Sequence, residues 1–239
     1  MFYQDYFLDA MIRRILYITS TLLEAEALIN VAGLKANGDG TYRYNEIDIN
    51  VLVAGVGAVA MTREMSIWLS YNQPPDLAIN AGIAGSFNPF VKIGDVVIPV
   101  ADCFADAGIE DGDSFLTLNE AGLVTNNDFP FKNDFIYCDN SFCKRLMPIV
   151  KPVKAITVNT ATGSEATKKK LIAKFNPDIE TMEGAAFFYV SSLEKIPFIA
   201  VRAISNMVER RDKNKWDIPL ALKNLTIKLT EIFETLSIL

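Results

Sequence analysis

Histidine is absent from this chain of 239 residues. That one absence removes Ser-His-Asp triads, Cys-His pairs, HExxH zinc sites and histidine general bases together. Any catalysis must run on carboxylates, amides, hydroxyls, arginines or backbone groups. Cysteine is scarce as well. Cys103, Cys138 and Cys143 are odd in number and scattered, which reads as reduced thiols and a cytoplasmic location. No apolar run reaches the ~18 residues that span a membrane. Positive charge is in deficit: 23 basic against 29 acidic residues give a net charge of −6. Without a basic stripe, nucleic acid is not the expected partner. The opening "MFYQDYFLDAMI" carries Asp5 and Asp9 and lacks a basic start, so it does not read as a signal peptide.

Half of the residues are hydrophobic, enough to bury one large core. Apolar runs of strand length alternate with stretches of helical spacing. "RILYITST" reads as a strand and "LLEAEALINVAGL" as a helix. "YRYNEIDINVLVAG" reads as a hairpin turning near Asn45, followed by a helix in "AVAMTREMSIWLSY". "DLAINAGIAG" reads as a strand that ends in a glycine-bracketed loop. "VKIGDVVIP" and "AITVN" are further strands, and "EATKKKLIAKF" is a helix. A helix opens at 182–186, "PFIAVRAI" is a strand, and "IPLALKNLTIKLTEIFETL" closes the chain as an amphipathic helix. The alternation predicts a single α/β domain over 14–239, with 1–13 as an N-terminal extension. Residues 101–132 form a long acidic excursion, either a surface loop or a lid.

Three segments end strands with small or polar residues, where α/β folds place ligands. In "NAGIAGSF", Gly82 and Gly85 would allow unusual φ angles and let amide N–H groups face a ligand, although such pairs also serve as plain turns. In "ETMEGAAFF", Glu183 stands at the start of an otherwise apolar helix. A first-turn acid suits the helix dipole, but that does not account for an acid between Met182 and a run of small residues. "VRAISN" stops an apolar strand on Ser205 and Asn206. The "GVG" at 55–57 lacks the third glycine and the acid of a dinucleotide fingerprint.

Together, "NAGIAGSF…VKIGDVVIP", "TMEGAAFF" and "VRAISN" resemble the nucleoside phosphorylase and nucleosidase superfamily, most closely its nucleosidase branch. Within that branch, "TSTLLEAEAL", "FADAGIEDGDSFL", "TVNTATG" and "SNMVERRDKNKWDIPLAL" are similar to the futalosine hydrolases. The resemblance runs from about Arg14 to the C-terminus. It implies a mixed central β-sheet flanked by helices, a small-molecule nucleoside substrate, no cofactor or metal, and a homo-oligomer built on dimers. It implies hydrolysis of futalosine to hypoxanthine and dehypoxanthine futalosine. A methylthioadenosine/S-adenosylhomocysteine nucleosidase and a 6-oxopurine nucleoside phosphorylase are the alternatives. By the same resemblance, Glu183 grips the ribose hydroxyls and Met182 packs on the sugar. Glu24 activates water, with Glu26 as the register alternative. Ala84 and Gly85 line the sugar and water site.

Chemistry refines that expectation. Phosphorylases hold phosphate with a loop serine and arginines. Here the comparable position is the apolar Ile83, which would leave a phosphate dianion uncompensated, so water is the expected nucleophile. Adenine-specific relatives carry Asp where this chain has Asn206. An amide donates to O6 and accepts from a protonated N7, so Asn206, next to Ser205, fits a 6-oxopurine. In "ERRDKNKW", Arg210 or Arg211 would pair with the acidic tail of futalosine, and Trp216 or Phe104 would stack on its ring. The plainer reading of this charge run is a solvated loop.

Overall fold

The computed structural model describes residues 12–112, 114–125 and 128–238. The chain starts with β1 (Arg14–Thr19), α1 (Leu22–Ile29), β2 (Lys35–Ala36), β3 (Thr41–Tyr44), β4 (Ile47–Val53) and α2 (Ala58–Tyr71). Two long strands follow, β5 (Leu77–Ser86) and β6 (Val96–Asp102), then a hairpin of β7 (Gly108–Asp111) and β8 (Ser114–Thr117). Next come β9 (Ile136–Tyr137), α3 (Ser141–Leu146), β10 (Lys151–Thr157), α4 (Glu165–Phe175), β11 (Ile179–Thr181), α5 (Gly184–Leu193), β12 (Phe198–Met207) and α6 (Ile218–Leu236). The expected N-terminal extension lies outside the described residues up to position 11. Ile12 is already buried in the core.

Apart from β7 and β8, which pair only with each other, the strands form one mixed sheet in the order β11-β10-β6-β12-β5-β1-β4-β3-β2, with β9 on β6. β11 also pairs antiparallel with β5. That second pairing closes β5, β12, β6, β10 and β11 on themselves, while β1 to β4 extend as an open wing. Ile15, Leu16, Tyr17 and Ile18 are fully buried, as expected of a strand lying between two parallel neighbours and covered on both faces.

Local signals fix the helices. Ser164 caps α4 by accepting from Thr167 N, and Asn176 ends it in the left-handed region at φ 44°. Asp217 caps α6 by accepting from Leu220 N at 3.0 Å. α6 then buries Ala221, Leu225, Leu229, Ile232, Phe233 and Leu236, a helical stripe. Each large side chain among them contributes roughly 1.5–3 kcal/mol by leaving water. α5 is mostly apolar and lies largely within the core, with Phe187 and Phe188 fully buried.

Three expectations need correction. The glycine-bracketed segment is not a loop: β5 continues through Gly82 and Gly85 to Ser86, and neither glycine has a positive φ. Likewise β12 does not stop at Ser205 but runs to Met207. α1 is also shorter than its apolar spacing suggests, because the chain turns at Asn30. In the acidic excursion, Phe115 packs edge-on to Phe175 and Glu120 pairs with Lys174, so α4 anchors it.

Candidate active site

The C-terminal ends of β1, β5, β11 and β12 surround a cavity of about 610 Å³, a size suited to a small-molecule ligand. Glu24, Ala84, Gly85, Met182, Glu183, Ser205, Asn206, Arg211 and Trp216 all line it. Phe104 does not. It lines a separate cavity of about 40 Å³ with Phe131 and Leu118, so the tail-stacking role expected of it has no place in the large cavity. Arg210 is exposed and is not part of the wall. No described residue of the 101–132 excursion reaches the wall either.

Glu24 and Glu26 separate cleanly. Glu26 is exposed, whereas Glu24 is 8 % exposed and faces the cavity. Glu24 is the third residue of α1 and completes a capping box: Thr21 Oγ1 accepts from Glu24 N, and Glu24 Oε2 accepts from Thr21 N at 3.0 Å. Thr21 Oγ1 also donates to Oε2 at 2.9 Å, and Ile83 N donates to Oε1 at 3.0 Å. An ionised carboxylate has about four acceptor sites. Three are used, which leaves one for a water proton. The amide of Ile83 thus holds the carboxylate from β5, and Gly82 provides the room for it.

Glu183 is the N-cap residue of α5, but its side chain does not cap the helix. Its Oε1 instead accepts the Gly57 N–H at 2.7 Å. Gly57 has φ 97°, a conformation that favours glycine. The "GVG" segment therefore positions a carboxylate. Burial raises the Glu183 pKa, with the Gly57 N–H and the Arg202 charge opposing. α5 is itself pinned: Ala185 N donates to Thr157 Oγ1 at 2.7 Å, and that hydroxyl donates to Asp102 Oδ1 at 3.0 Å. Burial pushes the Asp102 pKa up to about 7, against the Thr157 hydrogen bond and Arg202.

The register of β12 on β5 shifts between Ile204 and Asn206. Regular strands alternate their faces, but a bulge re-aims side chains. Here it lets the consecutive residues Ser205 and Asn206 both reach the cavity. Asn206 Nδ2 donates to Met207 O at 3.0 Å, and Asn206 Oδ1 accepts from Ser205 Oγ at 2.8 Å. A backbone carbonyl only accepts, so Met207 O fixes which end of the amide is nitrogen. One N–H and one oxygen lone pair remain for a ligand.

Sequence reasoning missed Arg202, Asp102 and Glu180. Arg202 is 2 % exposed and donates to Asn80 O at 2.7 Å and to Asn80 Oδ1. Its charge acts on Glu183, Glu24 and Asp102. The signal was a lone cation inside the apolar "FIAVRAI", a lone acid at the end of "VVIPVAD" and an acid between Ile179 and Thr181. At the outer rim, the Arg211 guanidinium lies 5.7 Å from the Trp216 ring centroid.

A partly closed mixed α/β sheet, with three buried carboxylates and a carboxamide gathered at its strand ends, defines a nucleoside phosphorylase-like fold. Residues 15–236 match the phosphorylase superfamily, and the chain belongs to that family. It is 30% identical over 192 residues to a futalosine hydrolase of Streptomyces coelicolor, covering 74% of this chain and 75% of that protein. It is 28% identical over 224 residues to a 5'-methylthioadenosine/S-adenosylhomocysteine nucleosidase of Buchnera aphidicola, covering 85% and 88%. Among solved structures, the futalosine hydrolase of Helicobacter pylori superposes with a TM-score of 0.75 at 17% identity, over 94% of this chain and 98% of that one.

Proposed function

We propose that this chain hydrolyses the N-glycosyl bond of a 6-oxopurine nucleoside, futalosine, releasing hypoxanthine and dehypoxanthine futalosine. The chain is a nucleosidase, a hydrolase of N-glycosyl bonds, as both kinds of relative are by name. The observation that carries the finer reading is the fixed amide of Asn206, which shares one cavity with Glu24 and Glu183.

The steps follow from these groups. Glu183 accepts from the two ribose hydroxyls, with Met182 against the sugar. The C1′–N9 bond breaks and its electron pair goes to the purine, leaving a sugar cation. Water adds at C1′ while Glu24 takes its proton. Solvent water supplies the N7 proton as the purine leaves, and Glu24 afterwards returns to solvent the proton it took; Asn206 Oδ1 accepts from N7–H and Nδ2 donates to O6. Arg211 meets the tail carboxylate and Trp216 meets the tail ring.

Water is favoured over phosphate because Glu24, Glu180, Glu183 and Glu209 line the cavity beside one cation, Arg211. A phosphate dianion would face like charges there. The adenine-directed alternative draws on the Buchnera relative. Exposed apolar residues at the rim, Leu23 at 49% and Val56 at 57%, adjoin the still more exposed Leu22 and Val59. A second copy of the chain is proposed to cover this face, with light scattering of the purified protein as the check. Chromatography of products from futalosine, inosine and methylthioadenosine, each with and without phosphate, tests the activity. Hypoxanthine from futalosine in phosphate-free buffer is expected. A strict phosphate requirement, or release of adenine alone, overturns the proposal.

A further inference from the structure

Glu183 is the N-cap residue of α5 but leaves the capping to others. An N-cap side chain ordinarily accepts the N–H of the second or third helical residue. In α5 the second is Ala185, and its N–H goes to Thr157 Oγ1 on β10 at 2.7 Å. The first, Gly184, gives its N–H to Thr181 Oγ1 on β11 at 3.1 Å. The two hydroxyls stand 3.3 Å apart, and Thr157 Oγ1 lies 3.0 Å from Asp102 Oδ1 on β6.

The hydrogens in this relay have one arrangement. A backbone N–H only donates, and a hydroxyl has one proton and two lone pairs. Thr157 gives its proton to Asp102, so it accepts twice: from Ala185 N–H and from the Thr181 hydroxyl. Nothing on Thr157 Oγ1 is left over for a ligand. Thr157 is 2 % exposed and lies outside the cavity wall, whereas Thr181 and Glu183 are part of it. Asp102 closes the relay from behind. A Cβ on Gly184 would overlap Asp102 Oδ2, so the glycine that follows Glu183 is what admits the carboxyl to the first turn.

We propose that Thr157, backed by Asp102, is a positioning residue for Glu183: by capping α5 from a neighbouring strand it keeps the Glu183 carboxylate off its own helix and directed into the cavity. The inference rests on the nucleosidase reading above, in which Glu183 holds the ribose. Without the Thr157 hydroxyl, Ala185 N–H becomes a buried donor with no acceptor, an unfavourable state. The carboxylate of the N-cap residue is the group placed to relieve it, and the helix dipole favours an anion there. A carboxylate turned back onto its helix is lost to the sugar.

The test compares Thr157→Val, which removes the hydroxyl, with Thr157→Ser, which keeps it. kcat/KM is measured on whichever of futalosine, inosine and methylthioadenosine the wild type cleaves, with calorimetric binding of the corresponding free base and a melting curve. Thr157→Val is expected to lower kcat/KM by ~10²-fold, the scale of a misplaced binding group. The free base, which does not meet Glu183, should bind as it does to wild type, and Thr157→Ser should stay within a few-fold of wild type throughout. In a Glu183→Gln background Thr157→Val should add almost nothing, because groups that act as a unit are not additive. Unchanged kcat/KM in Thr157→Val overturns the inference. So do losses that multiply with Glu183→Gln, a Thr157→Ser as poor as Thr157→Val, or base binding that falls in step with kcat/KM, and all of these leave the hydrolase reading intact. Release of adenine alone by wild type overturns the 6-oxopurine reading and leaves this one standing. If wild type cleaves none of the three nucleosides, the ribose role of Glu183 falls and this inference with it. Should Thr157→Val not fold, Asp102→Ala replaces it, since Thr157 then lacks the acceptor that fixes its proton. The same loss, absent in the Glu183→Gln background, supports the proposal, and wild-type kcat/KM overturns it.

Discussion

Glu24 Oε1 occupies the space that a side chain on Gly82 would fill. A Cβ at position 82 would meet that oxygen at closer than any normal contact. The helix-borne carboxylate and the strand glycine are complementary, and Ile83 N–H completes the seat. Gly82→Ala is therefore expected to push Glu24 aside while the strand persists. A displaced catalytic group can lower turnover by ~10²-fold. Steady-state kinetics with a melting curve checks this. Unchanged kcat in the folded variant would show that the seat of Glu24 is irrelevant to turnover.

Glu24→Gln keeps the capping box, since glutamine serves there as well, so the fold should hold. Without a base, kcat is expected to fall by ~10²-fold or more. Glu183→Gln keeps an acceptor for Gly57 N–H but loses the paired acceptors for the ribose diol, and kcat/KM should fall with it. Near-wild-type kcat/KM in either folded variant removes that residue from the mechanism.

Asn206→Asp should weaken hypoxanthine-nucleoside cleavage and tilt preference toward 6-aminopurines. An ionised Asp presents no donor to O6. A lost hydrogen bond with an unpaired buried acceptor costs about 1–3 kcal/mol, or roughly 5- to 150-fold in kcat/KM. The decisive quantity is the ratio of kcat/KM on 6-oxo and 6-amino versions of one nucleoside. A constant ratio means that Asn206 does not read the base.

Arg211→Ala should impair futalosine more than inosine, because only futalosine carries an acidic tail. The base and sugar contacts are untouched, so inosine kinetics should hold within a few-fold. Equal losses on both substrates would place Arg211 outside tail recognition.

Asp102 should make stability depend on pH. Its pKa rises from 3.8 to about 7 on folding. Between those values the folded chain holds a proton that the unfolded chain has lost. Stability from this group is full below the unfolded value and is lost as pH rises through about 7. Asp102→Asn keeps an acceptor for Thr157 and cannot titrate, so its melting temperature should vary less from pH 4 to 8. An unchanged pH profile would show that Asp102 does not titrate in that window.

The helices α2, α4 and α6 could be read to the residue because their signals are local. α4 has Ser164 and Asn176 at its ends, and α6 has Asp217 and a 3.6-residue stripe. The three-residue β11 carries too short an apolar pattern to announce itself, and its significance lies in pairing with both β10 and β5. The glycines misled for a related reason: sequence marks Gly82 and Gly85 as unusual but does not say why. Their freedom of φ is unused. What matters is the missing Cβ, which makes room for Glu24 at one position and for Val208 and Asn206 at the other.

By itself the sequence determined the α/β class and the histidine-free chemistry, which follow from composition and periodicity, properties each segment carries alone. Its resemblance to the nucleosidases pointed to Glu24, Met182 and Glu183, which the structure puts in the cavity wall. Tertiary structure put Glu24 in the cavity wall and left Glu26 exposed, because burial on one face of α1 depends on what packs there. It removed Phe104 from the cavity, placed Gly57 N–H on Glu183, and closed the sheet so that Glu180 stands across Gly85 from Asn206. Each of those contacts joins residues brought together only by strand pairing and helix packing, and their distances are fixed by the closed sheet rather than by any spacing along the chain.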